Sequence, residues 1–347
     1  MMNDQNLKIP KLSICIATYN RGKFIAETID SILIQLSPEV ELVVVDGASP
    51  DNTQEVMEKY LLSYPEIRYF REKENSGVDR DFDKAVCYAK GEYCWLMTDD
   101  DLLHSDAIST VLSSLRSDDE LVVVNSEVRS KDLSTLLQKQ MLEPSSGRRY
   151  DYSEREIFFA STANYLSFIG CVIIRRTNWV SRDRASYYGT LFIHVGVIFQ
   201  DPPVRSARII DKPLIIIRYG NAMWTARSFE IWMFKWPELI WSFKDYSDEA
   251  KRKVCRREPW RKLKSLMKNR AMGSYTANEY HKIWPSGTRK MESMPAYFIC
   301  ILPASIANII MILILLFSTK NKPRALYDLL SSPHAGSLSH FLVKTFS

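Results

Sequence analysis

Apolar runs alternate with amphipathic stretches through the first third of the chain. Runs rich in β-branched and aromatic residues predict strands at residues 12–17, 41–45, 67–70, 93–97 and 121–124. Helical periodicity lies between them, at residues 23–35, 53–62, 82–89 and 105–115. Strands and helices that alternate at this spacing predict an α/β fold, in which helices cover both faces of a mostly parallel sheet.

Polar residues follow three of these predicted strands. Ligands of such sheets bind beyond the carboxyl ends of the strands. We therefore expect a binding site to contain the residues Thr18, Tyr19, Asn20 and Arg21 after the first strand, Asp46 after the second, and Asp99, Asp100 and Asp101 after the run at 93–97.

The three adjacent aspartates allow two interpretations. One aspartate at a strand-to-helix junction caps the next helix, which contributes about 0.5–2 kcal/mol. Three together repel each other unless a cation or several donors neutralise them. Carboxylates on such a turn can bind Mg²⁺ or Mn²⁺ and leave coordination positions for phosphate oxygens.

Ordered motifs narrow the fold further. The chain contains neither G-x-G-x-x-G after its first strand nor G-x-x-x-x-G-K-[ST]. Instead the segments SICIATYNRGKFIAETIDSIL, VELVVVDGASPDNT, ENSGVDRDFDKAVCYAKGEY and CWLMTDDD follow one another. Over about 125 residues this series resembles the nucleotide-sugar-binding half of the family 2 glycosyltransferases, which have the GT-A fold. The motif W-L-x-[ST]-D-D-D is similar to that of the O-antigen, abequosyltransferase-like members.

The resemblance implies roles for the polar residues. In that family the loop at Thr18–Arg21 and the residue at Asp46 contact the base and ribose of a nucleoside diphosphate sugar. Asp79 and Arg80 would contact the sugar or diphosphate, and Asp99, Asp100 and Asp101 would hold Mn²⁺ or Mg²⁺. Thr98 occupies the place of the family's first aspartate. A plain turn at Asp46 and a charged first helical turn at Asp79 are the alternatives.

The catalytic base differs from the family pattern. Relatives carry a Glu-Asp pair whose aspartate deprotonates the acceptor hydroxyl, which then attacks in line with inversion. Here His194 stands in register with that pair, and Asp183 is the second candidate. Histidine can serve as a base near neutral pH. A histidine surrounded by Ile193, Val195 and Val197 is also typical of a buried core residue.

Acceptor residues are predicted after residue 205. Residues 209–224 predict two short strands around Pro213, followed by a polar loop. Arg218, Asn221 and Trp224 would bind an acceptor sugar or lipid phosphate, because arginine pairs with phosphate and aromatic rings stack on sugars. Trp224 could instead belong to a packed helix. Residues 126–150 are polar and predict a loop or an acceptor-side insertion.

The last third predicts contact with a membrane. Residues 251–270 are dense in Lys and Arg, which suits nucleic acid or an anionic lipid surface. Residues 296–317 carry no charge and are long enough to cross a hydrocarbon core, although Pro303 and Asn308 interrupt them. This run favours a membrane span or re-entrant hairpin over a buried helix of a soluble domain. It also favours lipid over nucleic acid as the partner of the basic residues 251–270.

Composition adds cellular context. The chain has 347 residues, a net charge of +5 and six scattered cysteines without a close C-x-x-C pair, which suits reduced thiols. Its first residues lack a secretory pattern. We expect a nucleotide-sugar-binding half at 1–125, an acceptor half at 126–225, a basic helical region at 226–290 and a membrane-associated segment at 291–347.

Together these features predict a glycosyltransferase at the cytoplasmic face of a bacterial inner membrane. It would move a sugar from a nucleoside diphosphate donor to a hydroxyl of a polyprenyl-diphosphate-linked saccharide. Two other classes stay open. A catalytically silent nucleotide-binding membrane scaffold would explain the missing Glu-Asp pair. A Mg²⁺-dependent phosphohydrolase would use the aspartates, although the first strand carries no aspartate nucleophile.

Overall fold

Two compact units make up the chain. The computed structural model describes residues 9–143, 148–221, 227–284, 293–318 and 323–346. One unit takes residues up to 129, then 139–218 and 243–254, and the other takes 130–138, 219–242 and the chain from 255 onward. The predicted halves 1–125 and 126–225 therefore share most of one unit.

The first unit is built on one mixed sheet. Its strands run in the order β3-β2-β1-β4-β9-β6-β10-β5, and β8 pairs with β10. Neighbours are parallel except that β9 is antiparallel to β4 and β6, and that β5 and β8 are antiparallel to β10. The strands are β1 Leu12–Thr18, β2 Val40–Asp46, β3 Arg68–Arg71, β4 Tyr93–Met97, β5 Leu102–Leu103, β6 Leu121–Arg129, β7 Leu136–Gln138 in the second unit, β8 Arg149–Asp151, β9 Val172–Arg175 and β10 Ser206–Arg218.

The helices follow the predicted alternation in the first third and continue beyond it. Those of the first unit are α1 to α7 and α10, and the rest belong to the second unit. They are α1 Ile25–Leu33, α2 Thr53–Ser63, α3 Val78–Tyr88, α4 Ala107–Ser114, α5 Arg155–Thr162, α6 Arg176–Ser181, α7 Ile193–Phe199, α8 Ser228–Glu230, α9 Trp236–Ser242 after a π-helical turn at Ile231–Lys235, α10 Asp248–Val254, α11 Leu263–Ala271, α12 Ala277–Ile283, α13 Ser293–Ile301, α14 Ala304–Leu316, α15 Pro323–Leu330 and α16 Ser337–Phe346.

The core of the first unit explains why its central strands β1 and β4 are mainly apolar. All residues of β1 and β4 are buried, because helices cover both faces of the sheet. Helix α1 contributes Ile25, Ile29 and Ile32 to the core, at the spacing of one helical face. A central mixed sheet between helices confirms the predicted α/β class.

Two strands are longer than their apolar patterns indicate. Strand β6 continues past residue 124 to Arg129, because Asn125 and Ser126 are buried and hydrogen-bonded within it. Strand β10 is continuous where two short strands are predicted. Its pairing with β6 shifts register on both sides of Pro213, which has no N–H to donate to a sheet.

The second unit is helical in the part that the structure describes, apart from β7. Its apolar segment forms α13 and α14, which are bent by 109°. The break falls at Leu302 and Pro303, where proline cannot continue the preceding helix. Within the described ranges no single helix has the length and apolar character of a membrane span, and only this bent pair has both together.

Polar and apolar contacts hold α14 inside the second unit. Its buried face contributes Ala307, Met311 and Ile312 to a core shared with α11 and α15. Asn308, which interrupts the apolar sequence, is fully buried. Its amide donates to the Leu329 carbonyl at 2.9 Å and accepts from the Ser339 hydroxyl at 2.8 Å. One face of α14 is therefore committed to protein.

Candidate active site

The carboxyl ends of β1, β2 and β4 bring the predicted binding residues together. Thr18 at the end of β1 pairs in register with Asp46 at the end of β2. On the other side of β1, Ile16 is in register with Met97, the last residue of β4, just before the aspartates. The loop after Thr18, the turn after Asp46 and the aspartates therefore share one edge of the sheet, as expected.

Arg21 lies against two of the three aspartates. Its guanidinium is 3.4 Å from a carboxylate oxygen of Asp99 and 3.3 Å from one of Asp100. The side chains of Asp99 and Asp100 are each 12% exposed. Burial, followed by the charge of Asp100, raises the pKa of Asp99 to about 7. A raised pKa of this kind is expected where two buried carboxylates lie close together.

Asp101 has a different role from its two neighbours. The Thr98 hydroxyl donates to one of its carboxylate oxygens, and the backbone N–H of Arg218 donates to the other at 2.7 Å. Its carbonyl accepts from the Thr28 hydroxyl at 2.8 Å. The carboxylate of Asp101 holds the turn in this structure, and its role as a metal ligand stays a prediction.

Arg218 also departs from its predicted acceptor role. It is buried, and its Nε donates to the Asp100 carbonyl at 2.9 Å. Its Nη2 is 2.7 Å from a carboxylate oxygen of Glu27, and its guanidinium lies over the Phe24 ring at 5.4 Å. Arg218 therefore fixes the backbone of the aspartate turn and is itself held by Glu27 and Phe24. The sequence does not reveal these contacts.

The residues present fit a divalent cation with two protein ligands. Within the described ranges, no group of three or more His, Cys, Asp or Glu side chains is arranged to hold a metal. Mg²⁺ and similar ions commonly bind one or two carboxylates and complete their coordination with substrate phosphates and water. Asp99 and Asp100, whose carboxylates both lie beside the Arg21 guanidinium, form such a donor set.

The two loops beside this pair are held by mutual hydrogen bonds. Backbone N–H groups of Asn20, Arg21 and Gly22 donate to side chains that follow β2, namely Ser49, Thr53 and Asp51. Asn20 and Ala48 have positive φ angles of 58° and 62°. Tyr19 is half-buried and Asn20 is exposed, so both remain available at this edge.

Asp46 is fully buried below that surface. Its carboxylate accepts from the Ser49 N–H at 2.8 Å and from the Tyr69 hydroxyl at 2.7 Å, and Arg71 lies 3.9 Å away. Tyr69 and Arg71 are residues of β3. In this conformation Asp46 shapes the turn, as the alternative interpretation predicts, and does not present a free carboxylate to a nucleotide.

Asp79 and Arg80 lie in the first turn of α3 and contact the loop before α7. Asp79 is buried, and its carboxylate accepts from the backbone N–H groups of Gly189, Leu191 and Ile193. The Arg80 guanidinium lies 4.3 Å from the centre of the Tyr188 ring. In this structure the carboxylate of Asp79 is used inside the protein, and the predicted contact of Asp79 and Arg80 to the donor stays a prediction.

The placement of His194 favours the core interpretation over the catalytic one. His194 is 1% exposed, and its Nε2 donates to the Leu166 carbonyl at 2.6 Å. Its Nδ1 has no hydrogen-bond partner among the described residues. Burial lowers the pKa of His194 to about 4, so the ring is neutral at pH 7. In this state an acceptor hydroxyl does not reach it.

The remaining predicted residues are Asp183, Asn221 and Trp224. Asp183 is exposed, and hydrogen bonds from the Ser186 side chain and from the Ser186 backbone N–H, the latter at 3.2 Å, lower its pKa and identify it as a turn cap. Asn221 belongs to the second unit, whereas Arg218 ends the first. Trp224 lies outside the described residues.

Comparisons with known proteins agree with this fold. The model of the glycosyl transferase family 2 matches residues 13–182. Abequosyltransferase RfbV of Salmonella typhimurium is 30% identical over 224 residues, which are 60% of this chain and 67% of RfbV. The chain belongs to glycosyl transferase family 2 and is a glycosyltransferase.

Other relatives match over shorter regions. Chondroitin synthase of Escherichia coli is 30% identical over 125 residues, which are 36% of this chain but 18% of that enzyme. The crystal structure of Staphylococcus aureus TarS 1–349 in complex with UDP aligns over 96% of this chain and 87% of that one. Its TM-score is 0.52 at 16% identity, which shows that the fold is GT-A.

Proposed function

We propose that this enzyme transfers a sugar from a nucleoside diphosphate donor to a hydroxyl of a lipid-linked saccharide, in the synthesis of a bacterial surface polysaccharide. The observation that carries the donor half is the Asp99, Asp100 and Arg21 cluster at the carboxyl edge of the parallel strands. RfbV, by its name, transfers abequose, and TarS has been crystallised with UDP and UDP-GlcNAc. Both support a nucleotide sugar as the donor.

Each residue of the cluster has a separate task in this proposal. A divalent cation bound there would stabilise the negative charge that develops on the departing diphosphate. Asp99 and Asp100 would hold it once Asp99 has lost its proton. Arg21 then loses its carboxylate partners to the cation and can pair with a phosphate oxygen. Arg218 keeps the turn in place, and the acceptor hydroxyl attacks in line with inversion.

The lipid-linked acceptor is supported by the surface of the second unit. On α13 the residues Met294, Tyr297, Phe298 and Ile301 repeat at helical spacing and expose between 47% and 59% of their surface. The opposite face of α13 is buried in protein. A helix that presents aromatic and apolar side chains outward while its other face is packed suits attachment to one side of a bilayer.

Charge supports the same surface. Between residues 255 and 347 the sequence has fourteen Lys and Arg against four Asp and Glu, although the whole chain carries only +5. Basic residues close to a membrane are attracted by anionic lipids, at about 1 kcal/mol each. We therefore place the enzyme on the cytoplasmic face of the membrane, where nucleotide sugars are available.

A thermal-shift screen tests the donor site. UDP, GDP, CDP and dTDP sugars are added with and without Mn²⁺, and a ligand at 100 times its Kd should stabilise the protein by about 2.7 kcal/mol. We expect one nucleotide to act in a metal-dependent way, and Asp99→Asn to abolish its effect. The exposed Asp118→Asn, which removes the same charge elsewhere, is the control. No stabilisation by any nucleotide would refute the proposal.

Vesicle flotation tests the membrane surface separately. Wild-type protein should float with vesicles containing anionic phosphatidylglycerol and less with neutral phosphatidylcholine. The double variant Phe298→Ser, Ile301→Ser should lose flotation. Leu62→Ser is the control, because Leu62 is an exposed leucine of the first unit. Equal flotation of both variants would contradict the assignment of this surface.

Family membership bears on the two other hypotheses. The catalytic class is that of a transferase, so the phosphohydrolase hypothesis loses its support. The silent scaffold hypothesis rested on the missing Glu-Asp pair. Turnover of a nucleotide sugar by the purified protein decides it, since a scaffold binds the donor without releasing nucleoside diphosphate.

A further inference from the structure

The first turn of α3 contacts two loops that come from distant parts of the chain. On one side Asp81 lies close to Gly47, in the turn after β2. A Cβ atom added to Gly47 would come within 2.5 Å of a carboxylate oxygen of Asp81. Asp81 is buried and accepts from the Ser76 hydroxyl at 2.8 Å. Helix α3 therefore packs directly against the turn after β2, which we call the donor loop because it follows the predicted donor residue Asp46.

On the other side Asp79 holds residues 189–193, which we call the 189–193 loop. One carboxylate oxygen accepts from the N–H of Gly189 at 2.8 Å and of Leu191 at 2.9 Å, and the other accepts from Ile193 at 3.1 Å. Gly189 and Leu191 have φ angles of +83° and +71°. Leucine rarely adopts this conformation, so the loop is strained and depends on the carboxylate to maintain it.

Further contacts join the same helix to the chain around this loop. Arg80 lies over the Tyr188 ring. Asp83 accepts from the Tyr188 hydroxyl and from the Trp179 indole N–H, the latter at 2.9 Å. Asp79, Arg80 and Asp83, spaced over about one turn of α3, therefore hold the segment that leads into α7.

The donor elements are held by other contacts. Arg21 pairs with Asp99 and Asp100, Asp101 is fixed by Arg218, and Asp46 is fixed by Ser49 and Tyr69. None of these bonds involves Asp79. Loss of the Asp79 carboxylate should therefore release the 189–193 loop and leave the donor elements in place.

We propose that Asp79 is a positioning residue for glycosyl transfer: it holds the 189–193 loop beside the donor loop and so sets where the acceptor meets the sugar. This inference rests on the proposed function and deepens it. The first turn of α3 is the common support, with Asp81 against one loop and Asp79 against the other. A small misplacement of a positioning loop can cost about 100-fold in rate.

Asp79→Asn tests the inference, because an amide NH₂ takes the place of one of the two accepting oxygens, and the single remaining oxygen cannot accept from all three backbone N–H groups as the carboxylate does. We expect metal-dependent stabilisation by the nucleotide to persist, together with slow hydrolysis of the nucleotide sugar in the absence of acceptor. Transfer should fall about 100-fold, through a higher acceptor KM and a lower kcat, at an unchanged donor KM. Asp118→Asn, which removes the same charge from an exposed turn, should behave as wild type.

Gly189→Ala carries the test if Asp79→Asn does not fold. An added Cβ meets nothing within 4 Å at Gly189, so only the positive φ is disfavoured and the carboxylate is untouched. It should show the same loss of transfer with intact donor binding. Gly336→Ala is the control, because that position also has open space and no positive φ.

Two results would overturn the inference alone: transfer within threefold of wild type in both loop variants, or nucleotide binding lost in parallel with transfer. A uniform loss of folded protein, recovered at lower temperature, would also overturn it, since that indicates only a structural role. A wild-type protein that no nucleotide stabilises would instead refute the proposed function, and this inference with it.

Discussion

The buried His194 gives the stability of the protein a pH dependence with a defined direction. Its pKa is lowered to about 4 by burial, whereas histidine in an unfolded chain has a pKa of about 6.5. Between these values the unfolded state binds more protons than the folded state. The free energy of unfolding therefore falls as the pH drops from about 6.5 to about 4, and lower pH has no further effect through this residue.

The size of the effect follows from the pKa difference. About 2.5 pKa units correspond to about 3 kcal/mol at full protonation, and to about 2 kcal/mol at pH 5 relative to pH 8. Protonation of the folded protein is costly because the added proton sits on Nδ1 of His194, which has no acceptor among the described residues. The ring is also shielded from water, which would otherwise stabilise the charge.

Urea unfolding at several pH values measures the difference between wild type and His194→Gln. A glutamine amide can still donate to the Leu166 carbonyl but does not titrate. The two proteins should converge in stability by about 2 kcal/mol from pH 8 to pH 5, while contributions from groups such as Asp99 cancel in the comparison. His281→Gln, at an exposed histidine, should show no convergence.

Transfer activity distinguishes the structural role of His194 from the catalytic one. At pH 7.5 the folded His194→Gln variant should keep activity within about threefold of wild type, because loss of a general base costs about 10²–10⁴. A pH-independent stability difference together with a loss of that size would refute the burial argument and restore His194 as the base.

Three further predictions concern the aspartate turn. Asp100→Asn should fold normally but lose Mn²⁺-dependent stabilisation by nucleotide in a thermal shift, whereas Asp101→Asn should lose about 1–3 kcal/mol of stability in urea unfolding, because it weakens buried hydrogen bonds; the opposite pattern would contradict the division of roles. Apparent Mn²⁺ affinity, measured by calorimetry with nucleotide present, should fall about tenfold per pH unit below about 7 and level off above it, since the metal binds only after Asp99 has lost its proton; a flat profile would contradict the raised pKa of Asp99. Arg218→Met should weaken Mn²⁺ binding although Arg218 does not face the metal, with partial recovery in Arg218→Lys; unchanged binding in both would show that the turn holds its shape without the guanidinium.

The sequence predicts the donor half well because the signals there are local. Most strands of the first third are short runs rich in apolar residues, and the polar residues at their carboxyl ends share one edge for reasons of sheet geometry alone. Thr18, Arg21, Asp99 and Asp100 are accordingly brought close to one another. What the sequence shows is position along the chain, not which atoms a side chain contacts.

The side-chain contacts that the sequence does not show are long-range contacts. Asp101, Asp79 and Arg218 are all polar residues near a binding edge, yet partners far along the chain occupy their polar groups. Asp79 is 110 residues from Gly189, and Arg218 is 191 residues from Glu27. No periodicity or spacing encodes such a pairing. For His194 the apolar neighbours already indicate burial, and only the register with relatives favours catalysis.

The position of β9 has a consequence for how the protein is made. This strand lies between β4 and β6 and pairs with both, yet it is synthesised about 45 residues after β6. A nascent chain that ends near residue 130 has two apolar strands with unpaired edges, which are sites of aggregation. The nucleotide-binding segment is therefore not a separable module, and a truncation before Arg175 should yield insoluble protein, whereas the complete first unit should not.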